Sequence, residues 1–265
     1  MLNKAPALVR YGWQHKLQSI LKVMPPHQEY VELFGGLTNL MFAKQTSMLE
    51  VYNDLDHLLV NFFRVVRDPK SFSELYEYAI SDKGDLSNVL TDVGGDISGN
   101  ISVKNPIPDA YRWFAYVSVA LGVKNGEGFG TVFDEQDVPQ GVWLNFIKML
   151  PQIHDRVMRT QVEYSPWKTM IERYNMDTTL MYIDAYRSSK NIDVEEMAKM
   201  MVDYNGMALW YCNMSVIDIM TDAGWESENI LGTSIADVGT AVLYRNPKCI
   251  KALEQAKHTL FDMGG

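Results

Sequence analysis

The sequence has few of the residues that staple small secreted proteins or hold structural metals. Only two of its 265 residues are cysteines, Cys212 and Cys249, and they lie far apart in the chain. This excludes a disulfide framework and favours two reduced thiols in a cytoplasmic protein. The five histidines show no spacing typical of metal ligands, so we expect no structural metal. They are His15, His27, His57, His154 and His258.

Long apolar runs and an excess of positive charge are also missing. No stretch approaches the roughly 20 apolar residues of a membrane span, and the first residues lack the apolar core of a signal peptide. We therefore expect no membrane partner. The formal net charge of −9 argues against a general nucleic-acid coat protein, because binding to phosphates needs a basic surface. A local basic cleft on an acidic protein is compatible with this charge.

The remaining composition is that of a folded protein. Apolar residues make up 47% of the chain and charged residues 22%, which excludes intrinsic disorder and collagen-like repeats. The length allows one large domain or a core domain that carries a smaller insert. No internal repeat is evident.

Strand-like and helix-like apolar patterns alternate near the start of the chain. The segments are residues 16–23 (helix), 29–34 (strand), 37–44 (helix), 49–52 (strand) and 56–67 (helix). A strand–helix–strand–helix order predicts a parallel sheet with right-handed crossovers.

The middle of the chain differs from both ends. Glycine, asparagine and proline punctuate residues 84–109, which predicts loops or a short hairpin. Further segments are predicted at 110–121 and 141–158 (helices), 179–183, 207–211 and 240–244 (strands), and 194–202 (helix). We therefore expect an α/β core formed by residues 1–70 and 160–265, and an inserted, mostly helical subdomain formed by residues 71–159.

The helix predicted over residues 110–121 is rich in aromatic residues. Its segment Tyr111-Arg112-Trp113-Phe114-Ala115-Tyr116 has two interpretations. Aromatic side chains can stack on nucleobases, as in single-strand binding proteins. At helical spacing they more commonly form a hydrophobic core.

A pair of glycines ends the first predicted strand, and an acid ends the second. In a doubly wound sheet, a ligand binds over the carboxyl ends of the strands. Glycines let the ligand approach the backbone, and an acid about 20 residues further on can bind a ribose. Phe34-Gly35-Gly36 and Asp54, which lies 18 residues after Gly36, fit this arrangement. The alternative is a structural turn followed by a helix that Asp54 or Asp56 caps.

Four segments carry a resemblance to a known family. They are Pro6–Gly12, Pro25–Gly36, Val51–Asp56 and Leu59–Asp68. Together they resemble the Dam-like adenine-specific DNA methyltransferases, the D12 class, and a looser similarity runs through residues 160–247. The resemblance implies a Rossmann-like methyltransferase sheet with an inserted target-recognition subdomain. It also implies S-adenosylmethionine as cofactor and double-stranded DNA as partner.

The resemblance assigns roles to individual residues. The expected cofactor-binding residues are Tyr11, Phe34, Gly35, Gly36, Asp54 (on the ribose) and Asp184. Asp184 stands where the family has its catalytic Asp-Pro-Pro-Tyr motif. As a catalytic residue, its carboxylate would accept a hydrogen of the target amine after the adenine has flipped out of the duplex. Tyr186 would stack on that base.

The chain departs from the family pattern at the reactive end of the site. Both prolines are absent after Asp184, and Ala185 supplies a carbonyl without their rigidity. Either Tyr186 or Arg187 takes the aromatic position, depending on the alignment. The bulky Trp13 replaces a small residue in the first motif. We therefore keep three hypotheses: an adenine methyltransferase or a relative acting on a nucleic-acid base, a degenerate fold that binds a partner, and altered group transfer on another substrate.

Overall fold

Short strands that alternate with amphipathic helices along the chain assemble into a sheet flanked by helices. The computed structural model describes residues 13–81, 103–122, 147–184, 192–229 and 241–262. In these ranges the strands are β1 (Glu29–Glu32), β2 (Leu49–Asn53), β3 (Gln161–Glu163), β4 (Thr179–Asp184), β5 (Met207–Asn213), β6 (Glu226–Glu228) and β7 (Ala241–Arg245).

Helices connect most of these strands. In the described ranges they are α1 (Trp13–Lys22), α2 (Asn39–Ala43), α3 (His57–Arg67), α4 (Pro69–Ser81), α5 (Pro106–Gly122), α6 (Leu150–Val157), α7 (Trp167–Arg173), α8 (Val194–Val202), α9 (Ile217–Asp222) and α10 (Pro247–Asp262). Among the helices of this part of the chain, none has both the length and the apolar character needed to cross a bilayer.

The chain divides into two compact units. The helical unit is Asp54–Tyr164, and the α/β unit combines Gly12–Asn53 with Ser165–Gly265. The first boundary follows Asn53, whereas the sequence places it after residue 70. The reason is that α3 packs against α4, α5 and α6, so it belongs to the helical unit.

Six strands of the α/β unit form one mixed sheet in the order β2-β1-β4-β5-β7-β6. The first four strands are parallel, and β7 runs antiparallel to both β5 and β6. The strand order reverses between β1 and β4, which creates the topological switch point where doubly wound sheets bind ligands. The expected α/β class with a Rossmann-like sheet is confirmed.

The two faces of this sheet differ in character, because successive side chains of a strand point to opposite sides. On one face, Val31, Met181 and Trp210 belong to an apolar core that α7, α8 and α9 cover. The other face carries Tyr30 and Glu32 from β1. The register places Tyr52 of β2 and Tyr182 of β4 beside Glu32 on that same face. The polar groups of the sheet therefore collect on one side near the switch point.

Aromatic side chains form the core of the helical unit. Phe62 of α3 lies between two rings of α5, with ring centroids 4.8 Å from Trp113 and 5.5 Å from Phe114. Tyr111, Trp113 and Phe114 are all buried. For these three residues the base-stacking interpretation is wrong, and the interpretation as core is confirmed.

Other expectations for the middle of the chain need correction or lie outside the described residues. Residues 106–109 are helical rather than loop, because α5 begins at Pro106. Proline suits the first turn of a helix, where its missing N–H has no partner to lose. In the described part of the helix predicted over residues 141–158, Ile147 is helical, residues 148–149 form a turn, and the helix continues as α6 from Leu150. Residues 84–102 and 141–146 lie outside the described ranges.

Candidate functional site

The turn after β1 has an unusual backbone that is fixed by hydrogen bonds. The amide of Gly35 donates to the carbonyl of Asn53 (2.8 Å), and the amide of Thr38 donates to the carbonyl of Gly35 (2.7 Å). Gly36 and Thr38 both adopt positive φ angles, of +49° and +48°. That region suits glycine but is uncommon for threonine. We call residues 33–38 the glycine loop.

The two glycines of this loop have different surroundings. A Cβ atom at Gly35 would lie 2.1 Å from Cε2 of Tyr52, so this glycine is required by the packing of the Tyr52 ring. The Tyr52 hydroxyl donates to the carbonyl of Gly36 (3.0 Å). A Cβ at Gly36 would meet no heavy atom of the described chain within 4 Å. Gly36 is therefore the glycine that borders open space.

A buried carboxylate holds the far end of the glycine loop. Glu32, the last residue of β1, is 2% exposed. Its Oε1 accepts hydrogen bonds from the Tyr30 hydroxyl and the Met41 amide (both 2.8 Å), and its Oε2 accepts one from the Thr38 hydroxyl. Burial raises the pKa of Glu32 to about 7, although these hydrogen bonds act in the opposite direction.

A buried ion pair lies on the same face of the sheet. Nζ of Lys44 is 2.5 Å from Oε1 of Glu50, and both side chains are nearly inaccessible to solvent. The same ammonium lies 4.3 Å from the centre of the Tyr30 ring and donates to the Ser47 hydroxyl (2.8 Å). Lys44 thereby adds positive charge near Glu32 and favours its ionised form.

Asn53, the last residue of β2, joins three backbone segments. Its side-chain amide donates to the carbonyls of Leu33 (3.0 Å) and Ser165 (3.1 Å), and its oxygen accepts from the amide of Ser165 (2.9 Å). The asparagine of the Asn-Asp pair is therefore a structural residue that ties β1 and β2 to the chain entering α7.

The acids after β2 have separate local roles. Asp56 caps α3, because its Oδ1 accepts from the amides of Leu58 (2.9 Å) and Leu59 (3.2 Å). Asp54 is half-buried, and its Oδ1 accepts from the amide of Asp56 (2.9 Å). Of the two candidates for the helix cap, Asp56 is thus the cap. Asp54 forms the turn immediately before it.

Asp184 ends β4 at the carboxyl edge of the sheet. It is half-buried and lies opposite Tyr211 of β5 in the parallel register. The hydroxyl of Tyr182 lies 3.5 Å from Oδ2 of Asp184. Burial, and then the negative charge of Asp184, raise the pKa of Tyr182 well above its usual value. Tyr182 therefore stays protonated and can only donate toward that carboxylate.

The sheet brings some of the predicted site residues to one edge. Phe34, Gly35 and Gly36 follow β1, and Asp184 ends the adjacent strand β4. Phe34 also packs against the apolar core. Tyr11, Tyr186 and the alternative Arg187 lie outside the described residues.

Sequence reasoning missed Glu32 and Tyr52, and used Asn53 only as part of a motif. A usable signal existed in the strands. Tyr30 and Glu32 alternate with Val31 and Leu33, and Glu50 and Tyr52 alternate with Val51. Acids are rare in buried strands unless they are paired, so this alternation indicates a polar network on one face of the sheet.

The two cysteines offer no reactive group. Both are buried and free. Burial raises the pKa of Cys212 to about 11 and that of Cys249 to about 12, so neither forms the thiolate near neutral pH. Within the described ranges, no group of three or more His, Cys, Asp or Glu side chains is placed to hold a metal ion.

Comparison with known protein families finds no family model that matches this chain, and comparison with curated proteins finds no match either. A proposal for function therefore depends on the residues and the geometry of the site itself.

Proposed function

We propose that this protein is an S-adenosylmethionine-dependent methyltransferase that acts on the N6 amine of adenine in double-stranded DNA. One observation carries the proposal. The glycine loop follows β1 and Asp184 ends the neighbouring parallel strand β4, at the point where the strand order reverses. This is where doubly wound sheets bind nucleoside ligands.

Cofactor binding is assigned to the loop and to the acid after β2. Gly36 borders open space and has a positive φ angle, so a ligand can approach its backbone closely. Phe34 and Gly35 shape the same loop, and the resemblance assigns Tyr11 to the cofactor as well. Asp54 would accept hydrogen bonds from the ribose hydroxyls. S-adenosylmethionine, when bound, supplies a methyl group on a sulfonium cation, which aromatic faces and carboxylates attract.

Asp184 is assigned to the target base. The adenine amine is a poor nucleophile, because its lone pair is delocalised into the ring. A carboxylate that accepts one amine hydrogen leaves more electron density on nitrogen and holds the amine in line for transfer. S-adenosylmethionine would donate its methyl group to the amine nitrogen and leave as the neutral thioether, and the proton that the amine loses would pass by way of the Asp184 carboxylate to solvent. Tyr186 would stack on the flipped base.

A matched pair of variants tests this function. Calorimetry measures binding of S-adenosylmethionine, and labelled methyl groups measure transfer to unmethylated DNA. Asp184→Asn should lower the rate of transfer by about 100-fold, because the neutral amide oxygen is a weaker acceptor than the carboxylate and cannot take up a proton from the amine. Asp222→Asn is the control, since Asp222 is an exposed acid at the end of α9.

Two results would refute the proposal. Absence of S-adenosylmethionine binding by the wild-type protein removes the cofactor assignment. Equal incorporation of label by the wild type and by Asp184→Asn removes the assignment of Asp184 as a catalytic residue.

A second candidate is a methyltransferase fold that binds a partner without transferring a methyl group. Packing of Tyr52 explains Gly35 without any ligand, and Ala185 replaces a rigid proline after Asp184. These features favour a scaffold that has lost its chemistry. Binding of the cofactor with no transfer by the wild-type protein would support this candidate over the first.

We place either function in the cytoplasm, because free buried thiols are typical of reducing compartments.

A further inference from the structure

Glu32 and Tyr52 are direct neighbours across β1 and β2. The parallel register pairs them, and both lie on the polar face of the sheet. Each is buried, and each contacts the glycine loop. They reach the loop at different points, so together they fix it from two sides.

Tyr52 acts at the first part of the loop. Its ring fills the space where a Cβ of Gly35 would lie, and its hydroxyl donates to the carbonyl of Gly36. The ring therefore limits where Gly35 can move. The hydrogen bond sets the direction of the Gly36 carbonyl and hence the plane of the following peptide group.

Glu32 acts at the end of the loop. One carboxylate oxygen accepts from the Thr38 hydroxyl, and the other accepts from the amide of Met41 in α2. Thr38 has a φ angle of +48°, which a β-branched residue adopts only when its surroundings enforce it. The hydrogen bond from Thr38 to Glu32 supplies that enforcement.

We propose that Glu32 and Tyr52 are positioning residues that hold the glycine loop in the conformation that receives the cofactor. This inference rests on the proposed function, because it assigns the loop to S-adenosylmethionine. Neither residue needs to touch the ligand. Their effect is to order the loop before the ligand binds. Binding then carries no entropic cost for ordering the loop.

The test compares two conservative variants with a matched control. Tyr52→Phe keeps the ring and removes only the hydroxyl, and Glu32→Gln keeps the size and removes the charge. Tyr204→Phe is the control: the Tyr204 hydroxyl also donates to a backbone carbonyl, that of Tyr174 (2.8 Å). Tyr204 lies three residues before β5 begins, at the amino edge of the sheet, away from the glycine loop.

Three measurements are made on each full-length variant. Amide hydrogen exchange over residues 35–41 reports the order of the loop without any ligand. Calorimetry and steady-state kinetics report the dissociation constant and the KM for S-adenosylmethionine. Tyr52→Phe should accelerate exchange in the loop and raise both constants about fivefold, the usual effect of one hydrogen bond, with kcat unchanged. Tyr204→Phe should alter neither exchange in the loop nor these constants.

Several results decide the question. If Tyr52→Phe and Tyr204→Phe weaken binding equally, the hydroxyl contributes only to global stability and the inference is wrong. Unchanged exchange in the loop of Tyr52→Phe also overturns it, even when the wild type binds the cofactor. If the wild type does not bind S-adenosylmethionine, the proposed function fails, while the exchange data still show whether these residues order the loop. Should Glu32→Gln fail to fold, Tyr52→Phe decides alone.

Discussion

The amide of Leu33 donates to the carbonyl of Tyr182 across 3.0 Å. This bond continues the pairing of β1 with β4 one residue beyond Glu32, the last residue of β1. It joins the start of the glycine loop to the strand that ends in Asp184. Two segments about 150 residues apart in sequence thus share one edge of the sheet, at the switch point where doubly wound folds bind ligands.

The two acids after β2 should separate binding from stability. Asp54→Asn keeps an acceptor for the Asp56 amide but loses the charge, so we expect about tenfold weaker binding of S-adenosylmethionine with little change in the free energy of unfolding. Asp56→Ala removes the cap of α3 and should cost about 1 kcal/mol without weakening binding. Calorimetry and urea denaturation measure the two effects. The opposite pattern would assign the ligand to Asp56.

The two glycines of the loop should respond differently to alanine. Gly35→Ala places a Cβ against the buried Tyr52 ring and should destabilise the protein by about 1–3 kcal/mol. Gly36→Ala creates no clash with the described chain. It should lower the free energy of unfolding by only about 1 kcal/mol, because alanine disfavours the positive φ angle. Urea denaturation compares them. As a control, Gly35→Ala combined with Tyr52→Leu should recover part of the loss, and no recovery would show that the clash is not the cause.

Glu32 should make stability depend on pH. Its pKa is raised to about 7 in the folded protein from an ordinary value of 4.5, so the folded protein binds this proton more tightly than the unfolded chain does. Its contribution to stability is complete below about pH 4.5 and is lost as the pH rises through about 7, by up to about 3 kcal/mol. Urea denaturation between pH 5 and pH 8 measures it.

The difference in the free energy of unfolding between the wild type and Glu32→Gln separates the contribution of Glu32 from that of the other titrating groups. The free energy of unfolding of the wild type should fall relative to that of the variant as the pH rises. A parallel pH dependence in both proteins would mean that Glu32 titrates normally.

Removing one partner of the buried ion pair should destabilise the protein strongly, whereas replacing both partners with apolar residues should destabilise it less. Lys44→Met leaves Glu50 buried without its cation, and we expect a loss of about 3–5 kcal/mol. The double variant Lys44→Met with Glu50→Leu should be more stable than Lys44→Met alone. Lys199→Met breaks an exposed pair with Glu195 and should leave stability nearly unchanged. Equal losses for the two lysine variants in urea denaturation would contradict this account.

Local pattern was a reliable guide where the elements are regular. The helix predicted over residues 194–202 coincides with α8, and the strand predicted over residues 49–52 becomes β2 with one further residue. Apolar periodicity is decisive in such segments, because a helix requires apolar residues three or four positions apart and a strand requires them at alternate positions. Asp193 also caps α8 through the amide of Glu196 (2.9 Å), as its position suggests.

Other elements carried signals that were weaker or were not used. Asp68-Pro69 marks the start of α4, since Asp68 accepts from the Ser71 amide (2.8 Å) and proline suits the first helical position. The strands β3 and β6 have three residues each, too few for any period to show. The helices α7, α9 and α10 were also missed.

The sequence by itself determined the alternation of strands and helices, the placement of glycines after β1, the acid that follows β2 and the acid that ends β4. Tertiary structure alone decided that β1 lies between β2 and β4 and that the packing of Tyr52 requires a glycine at position 35. The physical reason is the distance in sequence over which each kind of interaction acts. Periodicity and turn chemistry act over a few residues, whereas strand order, register and the packing of a ring against a glycine depend on residues distant in sequence.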